Sequence, residues 1–194
     1  LGIILGSAIP IASGMAMANK FMNKKNLMVV FIGDGASEEG AFYETINMAG
    51  LYKLPLLIVI EDNRYAVEAD SRKRKVNKYN LKNIVKNGLN AFYDRVDGQD
   101  FKKIFLATKK IKSKILKENK IGILHVDCLR FSKHSGPNCD IKDQKANYRK
   151  KNEFNEISKR DPINLIEKDL ISLNLKQDKI FNYKELIFWL VSQN

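Results

Sequence analysis

Along the first 130 residues, apolar runs of strand length alternate with segments of helical period. Residues 7–22 carry Ala8, Ala12, Gly14, Ala16 and Ala18 and predict a helix small enough on its faces to pack very closely on a neighbour. Leu27 to Ile32 is apolar at every position, the pattern of a parallel strand covered on both faces. A helix is expected over about 40–53, with Phe42, Ile46 and Ala49 on one face. Pro55 then opens a second continuous strand, "LLIVIED". An irregular basic stretch, a short helix near 81–86, a strand near 92–96, a Lys-rich helix and a last strand, "IGILHVD", follow. This alternation predicts an α/β fold, a parallel sheet flanked by helices. A long polar loop runs from Arg130 to about Arg149. Asp161-Pro162 marks a helix start, an N-cap followed by Pro at the first helical position. A final amphipathic segment ends near "ELIFWLV". The expected division is an α/β domain over 1–150 and a helical tail, 151–194, packing on it.

Charge changes this picture less than its size suggests. The net charge of +12 invites a nucleic-acid partner. In "DFKKIFLATKKIKSKILKENK", however, Phe101, Ile104, Phe105, Thr108, Ile111 and Ile115 recur at helical spacing, with lysines 102, 103, 109, 110, 112 and 114 mostly between them. That is a solvated helix face. The compact cluster "SRKRK" at 71–75 lacks interleaved aromatics, so no nucleic-acid partner is expected. Cys128 and Cys139 make neither a disulfide framework nor a metal site. No apolar run approaches the roughly 18–20 residues of a membrane span. The opening "LGIILGSAIP" is broken by Gly2, Gly6, Ser7 and Pro10 and has no basic start, unlike a signal peptide. A cytoplasmic location, away from membranes, is the expectation.

The chemistry gathers at two strand ends. Asp34, between Gly33 and Gly35, ends the first strand, and Asn63 ends the second. About 14 helical residues travel roughly 21 Å one way, and about six strand residues travel roughly 20 Å back. Asp34 and Asn63 are therefore expected side by side at the carboxyl edge, where open α/β sheets bind ligands. One carboxylate and one neutral amide oxygen suit Mg2+ completed by substrate phosphates and water. The flanking glycines allow a sharp turn and close approach of phosphate to main-chain N–H groups. Either half alone is an ordinary turn; the pair at one crossover spacing suggests a diphosphate held through Mg2+.

Gly33-Asp34-Gly35 followed after 27 residues by Asn63 resembles the thiamine diphosphate fingerprint. "GDGASEEGAFYETINMAGLYKLPLLIVIEDNRYAV" is similar to the alpha subunit of the thiamine diphosphate-dependent dehydrogenase component of 2-oxo acid dehydrogenase complexes, of the pyruvate, branched-chain and acetoin types. The resemblance extends through "ILGSAIPIASGMAMA", "DRVDGQD", "LRFSKHSGPNCD", "NYRKKNE" and "KRDPINLIEKDLI", and implies that an N-terminal portion of the family's chain is missing. It implies Mg2+ ligation by Asp34, Asn63 and the Tyr65 carbonyl, and diphosphate contacts from Gly35 and Ala36. Ile3 and Leu5 would line the aminopyrimidine side. Arg130 and His134 would reach the diphosphate and the mouth of the active site, with His134 as the catalytic candidate. Read without the resemblance, Arg130 and His134 are surface loop residues.

The resemblance further implies a thiamine diphosphate and Mg2+ enzyme, an oxidoreductase that decarboxylates a 2-oxo acid and passes the acyl group to a lipoyl acyltransferase. Its partner would be a beta subunit in an alpha2beta2 assembly, which supplies the cofactor-activating Glu. Ser132-Lys133-His134 departs from the common His-Gly before the second His, and "YAVEADSRKRK" from the usual small or polar residues. These departures leave acetoin-type cleavage or a specialised 2-oxo acid open. A non-catalytic Mg-nucleotide module is disfavoured by the absence of a Walker Gly-Lys-Ser/Thr.

Overall fold

The computed structural model describes residues 4–135, 148–149 and 153–172. Helix α1 (Ala8–Phe21) leads into strand β1 (Met28–Gly33). A 3-10 turn (Ala36–Glu38), α2 (Gly40–Leu51) and β2 (Leu56–Asp62) follow. Strands β3 (Tyr65–Ala66) and β4 (Ala69–Asp70) form a small hairpin that ends in the one-turn helix α3 (Ser71–Arg74). A π-helical turn (Asn83–Gly88), β5 (Phe92–Asp97), α4 (Phe101–Glu118) and β6 (Gly122–Asp127) complete the α/β unit. Helices α5 (Glu153–Lys159) and α6 (Pro162–Ser172) follow further along the chain.

Four strands pair in the order β1-β2-β6-β5, all parallel, as the alternation predicts. On one face α1, α2 and the segment around Leu81, Val85 and Ala91 bury Val30, Ile32, Ile58, Ile60 and Ile123. Phe42, Ile46 and Ala49 of α2 are fully buried there, on the face their spacing selects. On the other face α4 covers Leu57, Val59, Leu124 and Val126 with Ile111 and Ile115. Asp161 caps α6 as expected, its Oδ1 accepting from the Ile163 N–H at 2.9 Å. The amphipathic segment near "ELIFWLV" lies outside the described residues.

Two expectations are corrected. Strand β1 is not covered on both faces: Val29 is 42% and Phe31 63% exposed. The cause is position, since β1 is the edge strand and α4 packs mainly on β5, β6 and β2. Likewise Phe101 and Phe105 leave the buried stripe of α4; they stack on each other, centroids 6.4 Å apart, on its exposed side. Only Ile111 and Ile115 of that helix are fully buried, with Ile104 partly so. The six lysines between them are exposed, as read. Among the described residues no helix is long and apolar enough to cross a membrane.

The contrast between two phenylalanines is testable. Phe42→Ala should cost about 3–5 kcal/mol of folding stability through lost burial and a cavity. Phe105→Ala should cost no more than about 0.5 kcal/mol. Chemical denaturation of the two variants measures the difference.

Candidate functional site

The strand register lines up carboxylates along the carboxyl edge. Asp62 pairs with Asp127, Asp127 with Asp97, and Asp34 follows the Gly33–Glu61 pair. Such a row repels itself unless cations or hydrogen-bond donors answer it, and here each acid has such a partner. Arg74 places Nη2 2.5 Å from Asp34 Oδ2 and Nη1 2.5 Å from Glu38 Oε1, with Lys75 Nζ 3.3 Å from the same Glu38 oxygen. Arg95 forks onto Asp127 at 2.5 and 2.9 Å. Arg160 reaches Asp97 at 2.5 Å. His125 Nε2 lies 2.8 Å from Asp62 Oδ2.

The environments push neighbouring acids apart. Asp34 is 2% exposed, and burial raises its pKa above the ordinary value, with the Asp62 charge adding to the rise and Arg74 opposing it. Burial would raise Asp62 too, but the hydrogen bond and charge of His125, helped by the Arg64 N–H, outweigh it and hold the carboxyl at about 2. Asp62 stays ionised, so its carboxylate only accepts, and His125 donates to it from Nε2. Nδ1 shares a hydrogen bond with the Tyr93 hydroxyl, 2.9 Å away. Burial and nearby acids push the Cys128 thiol up to about 12, a poor nucleophile.

Local backbone chemistry shapes the two turns. At Gly35 an added Cβ would stand 2.9 Å from Ala66 Cβ, so the β3–β4 hairpin closes over the turn only because the position is glycine. Ser37 Oγ donates to the Asp34 carbonyl at 2.7 Å. After β2, Asp62 Oδ1 accepts from the Arg64 N–H at 2.9 Å, and Asn63 Oδ1 from the Tyr65 N–H at 3.0 Å. Arg64 sits at φ +69°, a left-handed conformation that these side-chain bonds stabilise.

Asp34 and Asn63 thus stand at the ends of neighbouring parallel strands. Gly35 and the buried Ala36 continue the first turn, and Tyr65 opens the hairpin beside the second. Arg130 lies over the Tyr65 ring at 5.5 Å and donates from Nη2 to the Tyr148 hydroxyl at 2.9 Å. Its Nε and Nη1 are buried without a hydrogen-bond partner among the described residues. Two unanswered guanidinium N–H groups at a carboxyl edge suit an anion. Leu5 and His134 are exposed and stand outside this hydrogen-bonded cluster. Ile3 lies outside the described residues.

Sequence reading missed Arg74, Asp62, His125, Tyr93 and Arg95. Arg74 was hidden in a compact basic cluster weighed only against a nucleic-acid partner, whereas its side chain is only 15% exposed. His125 and Asp62 carried a usable signal, polar residues on the inward positions of otherwise apolar strands. Glu38 is the second anchor of Arg74. Asp62, His125 and Asp127 also present ligand atoms within 4.8 Å of one another. There His125 already bonds Asp62 and Arg95 closes Asp127.

Arg74→Gln removes the cation from buried Asp34. An acid whose pKa is raised in the folded state contributes stability below its unfolded pKa, near 3.8, and loses it as pH rises through the folded value. Without Arg74 the upward shift grows. Thermal melts of the ligand-free protein should therefore show a larger deficit against the wild type at pH 7.5 than at pH 4.5. An equal deficit at both pH values would mean that Arg74 does not compensate Asp34.

Comparison with known proteins bears on what this edge serves. The sequence matches the family described as "Dehydrogenase E1 component" over residues 2–185. It is 30% identical to a pyruvate dehydrogenase E1 component subunit alpha of Rickettsia felis over 168 residues, 87% of this chain and 49% of that protein. It is 33% identical to the Acholeplasma laidlawii subunit alpha over 164 residues, 83% of this chain and 45% of that one. The testis-specific mitochondrial form of Rattus norvegicus is 31% identical over 174 residues, 89% and 42% of the two chains. The chain spans about half the length of the curated relatives it matches. With this extent of matching, and with the parallel sheet above, the chain belongs to the dehydrogenase E1 component family, among its alpha subunits.

Proposed function

We propose that the chain holds thiamine diphosphate through Mg2+ and serves, with a beta subunit, the oxidative decarboxylation of a 2-oxo acid and acyl transfer to a lipoyl carrier. The observation that carries this reading is the meeting of the Gly33-Asp34-Gly35 turn with Asn63 at the ends of neighbouring parallel strands, in a chain of this family. The residues fit the group. Asp34 offers a carboxylate, Asn63 Oδ1 keeps a second lone pair beyond its bond to the Tyr65 N–H, and Tyr65 offers its carbonyl. Gly35 and Ala36 would present main chain to phosphate, and the Arg130 N–H groups that have no partner among the described residues suit a phosphate oxygen. Arg74, which pairs with both Asp34 and Glu38, would keep Glu38 as its partner were Asp34 to hold the metal.

When bound, thiamine diphosphate supplies the nucleophilic carbon and the electron sink for decarboxylation. This chain's residues would bind and orient it: Asp34 and Asn63 would hold the metal and Arg130 the diphosphate, with His134, four residues after Arg130, as the candidate proton donor. Leu5 and Ile3 would line the aminopyrimidine side. The outer face of α1 leaves Ile11 and Met15 more than half exposed, an apolar stripe suited to a partner subunit in an alpha2beta2 assembly.

Asp34→Ala should abolish Mg2+-dependent thiamine diphosphate binding by the assembled protein, and Asn63→Ala should weaken it by about tenfold or more. Calorimetric titration showing unchanged affinity in Asp34→Ala would refute the metal assignment. The chain alone should show no 2-oxo acid decarboxylation, activity appearing only with the beta subunit. Turnover by the isolated polypeptide would overturn the division of labour.

A further inference from the structure

Tyr93, His125 and Asp62 form a hydrogen-bonded file that runs across the sheet from β5 through β6 to β2. His125 is 4% and Asp62 7% exposed. In the register His125 pairs with Ile60, so its ring reaches along the strand direction to Asp62, two residues nearer the carboxyl edge. Among the described residues, no other side chain stands within hydrogen-bond distance of Asp62; Arg95 Nη2 is 3.9 Å away. Both carboxylate oxygens are engaged, Oδ2 by His125 and Oδ1 by the Arg64 N–H. Asp62 is therefore not offered to a metal. It is a brace.

What it braces is the turn that carries Asn63 and Tyr65. The bond from Arg64 to Asp62 supports the φ of +69° at Arg64, and the next N–H, that of Tyr65, bonds to Asn63 Oδ1. Two successive side-chain acceptors thus wind the same turn. The main chain is fixed from the β6 side as well, where the Cys128 N–H donates to the Asp62 carbonyl at 2.9 Å. An apolar residue at position 125 would fill the sheet equally well. It would leave the buried Asp62 carboxylate short of a donor, and the carboxylate would turn toward Arg95 and release the Arg64 N–H.

The geometry points to His125 and Tyr93 as positioning residues for the metal-ligand turn: Tyr93 orients the His125 ring, His125 orients Asp62, and Asp62 sets the backbone that presents Asn63 Oδ1 and the Tyr65 carbonyl. This rests on the functional reading above and extends it to two residues that touch neither metal nor cofactor.

The experiment measures the half-saturating Mg2+ for thiamine diphosphate binding, by calorimetry on the assembled protein, for wild type, His125→Leu, His125→Gln and Tyr93→Phe. Thermal midpoints are recorded without metal. Loss of an outer-sphere partner shifts metal affinity by about 10–100-fold. His125→Leu should therefore raise the half-saturating Mg2+ by about tenfold or more. His125→Gln keeps an N–H toward Asp62 and should stay within about threefold of wild type, with Tyr93→Phe between the two. A purely structural role would lower the thermal midpoint and leave the Mg2+ requirement unchanged, and that result overturns the inference. So would equal shifts in His125→Leu and His125→Gln. Should His125→Leu fail to fold, Tyr93→Phe decides alone, since it removes one hydroxyl: an unchanged Mg2+ requirement then overturns the proposal. A wild-type protein without Mg2+-dependent binding overturns the functional reading instead, a result seen before any variant is compared.

Discussion

A row of aspartates at the carboxyl edge of a parallel sheet is the constraint around which this molecule is arranged. Asp34, Asp62, Asp127 and Asp97 end four neighbouring strands, and adjacent strands bring such groups within a few ångströms. Leaving several ionised carboxylates together at a partly buried edge is unfavourable unless positive charge or hydrogen-bond donors offset the repulsion and the lost hydration. The cations come from far apart in the chain: Arg74 from the turn after the hairpin, Arg95 from β5, Arg160 from the junction of α5 and α6. The edge thereby ties the hairpin and the late helices to the sheet.

The two ends of the row are treated differently. Asp127 and Asp97 meet partly exposed arginines, pairs that solvent screens and that contribute modestly. Asp34 and Asp62 are buried, and their partners decide their chemistry. Burial keeps Asp34 above the ordinary carboxylate range despite Arg74, whereas His125 and a backbone N–H keep Asp62 well below it. One acid is paired with a guanidinium, and the other is committed to holding a turn. A similar economy governs the positive charge of the whole chain. Most lysines of α4 are solvated, and the arginines that matter are the few directed inward at the edge.

Much of this was legible in the sequence. Continuous apolar strands between helical segments specify a parallel α/β sheet, because both faces of such strands need covering. The spacing from Asp34 to Asn63 equals one helix out and one strand back, so their adjacency follows from chain geometry alone. Phe42, Ile46 and Ala49 selected their own buried face by period, and Asp161-Pro162 announced its helix. These are local rules, acting over one element or one crossover.

Tertiary structure alone decided the rest. Strand order made β1 an edge, which exposes Val29 and Phe31 although their pattern reads as buried. Packing of α4 on three strands chose Ile111 and Ile115 over Phe101 and Phe105, which have the same period. Nothing within "SRKRK" distinguishes Arg74 from its neighbours; the hairpin aims that one side chain at Asp34 and Glu38. His125 and Tyr93 meet Asp62 only because β6 enters the sheet between β2 and β5. Sequence period determines which residues share a face, but which carboxylate finds which cation depends on strand order, and strand order is settled by contacts between residues dozens of positions apart.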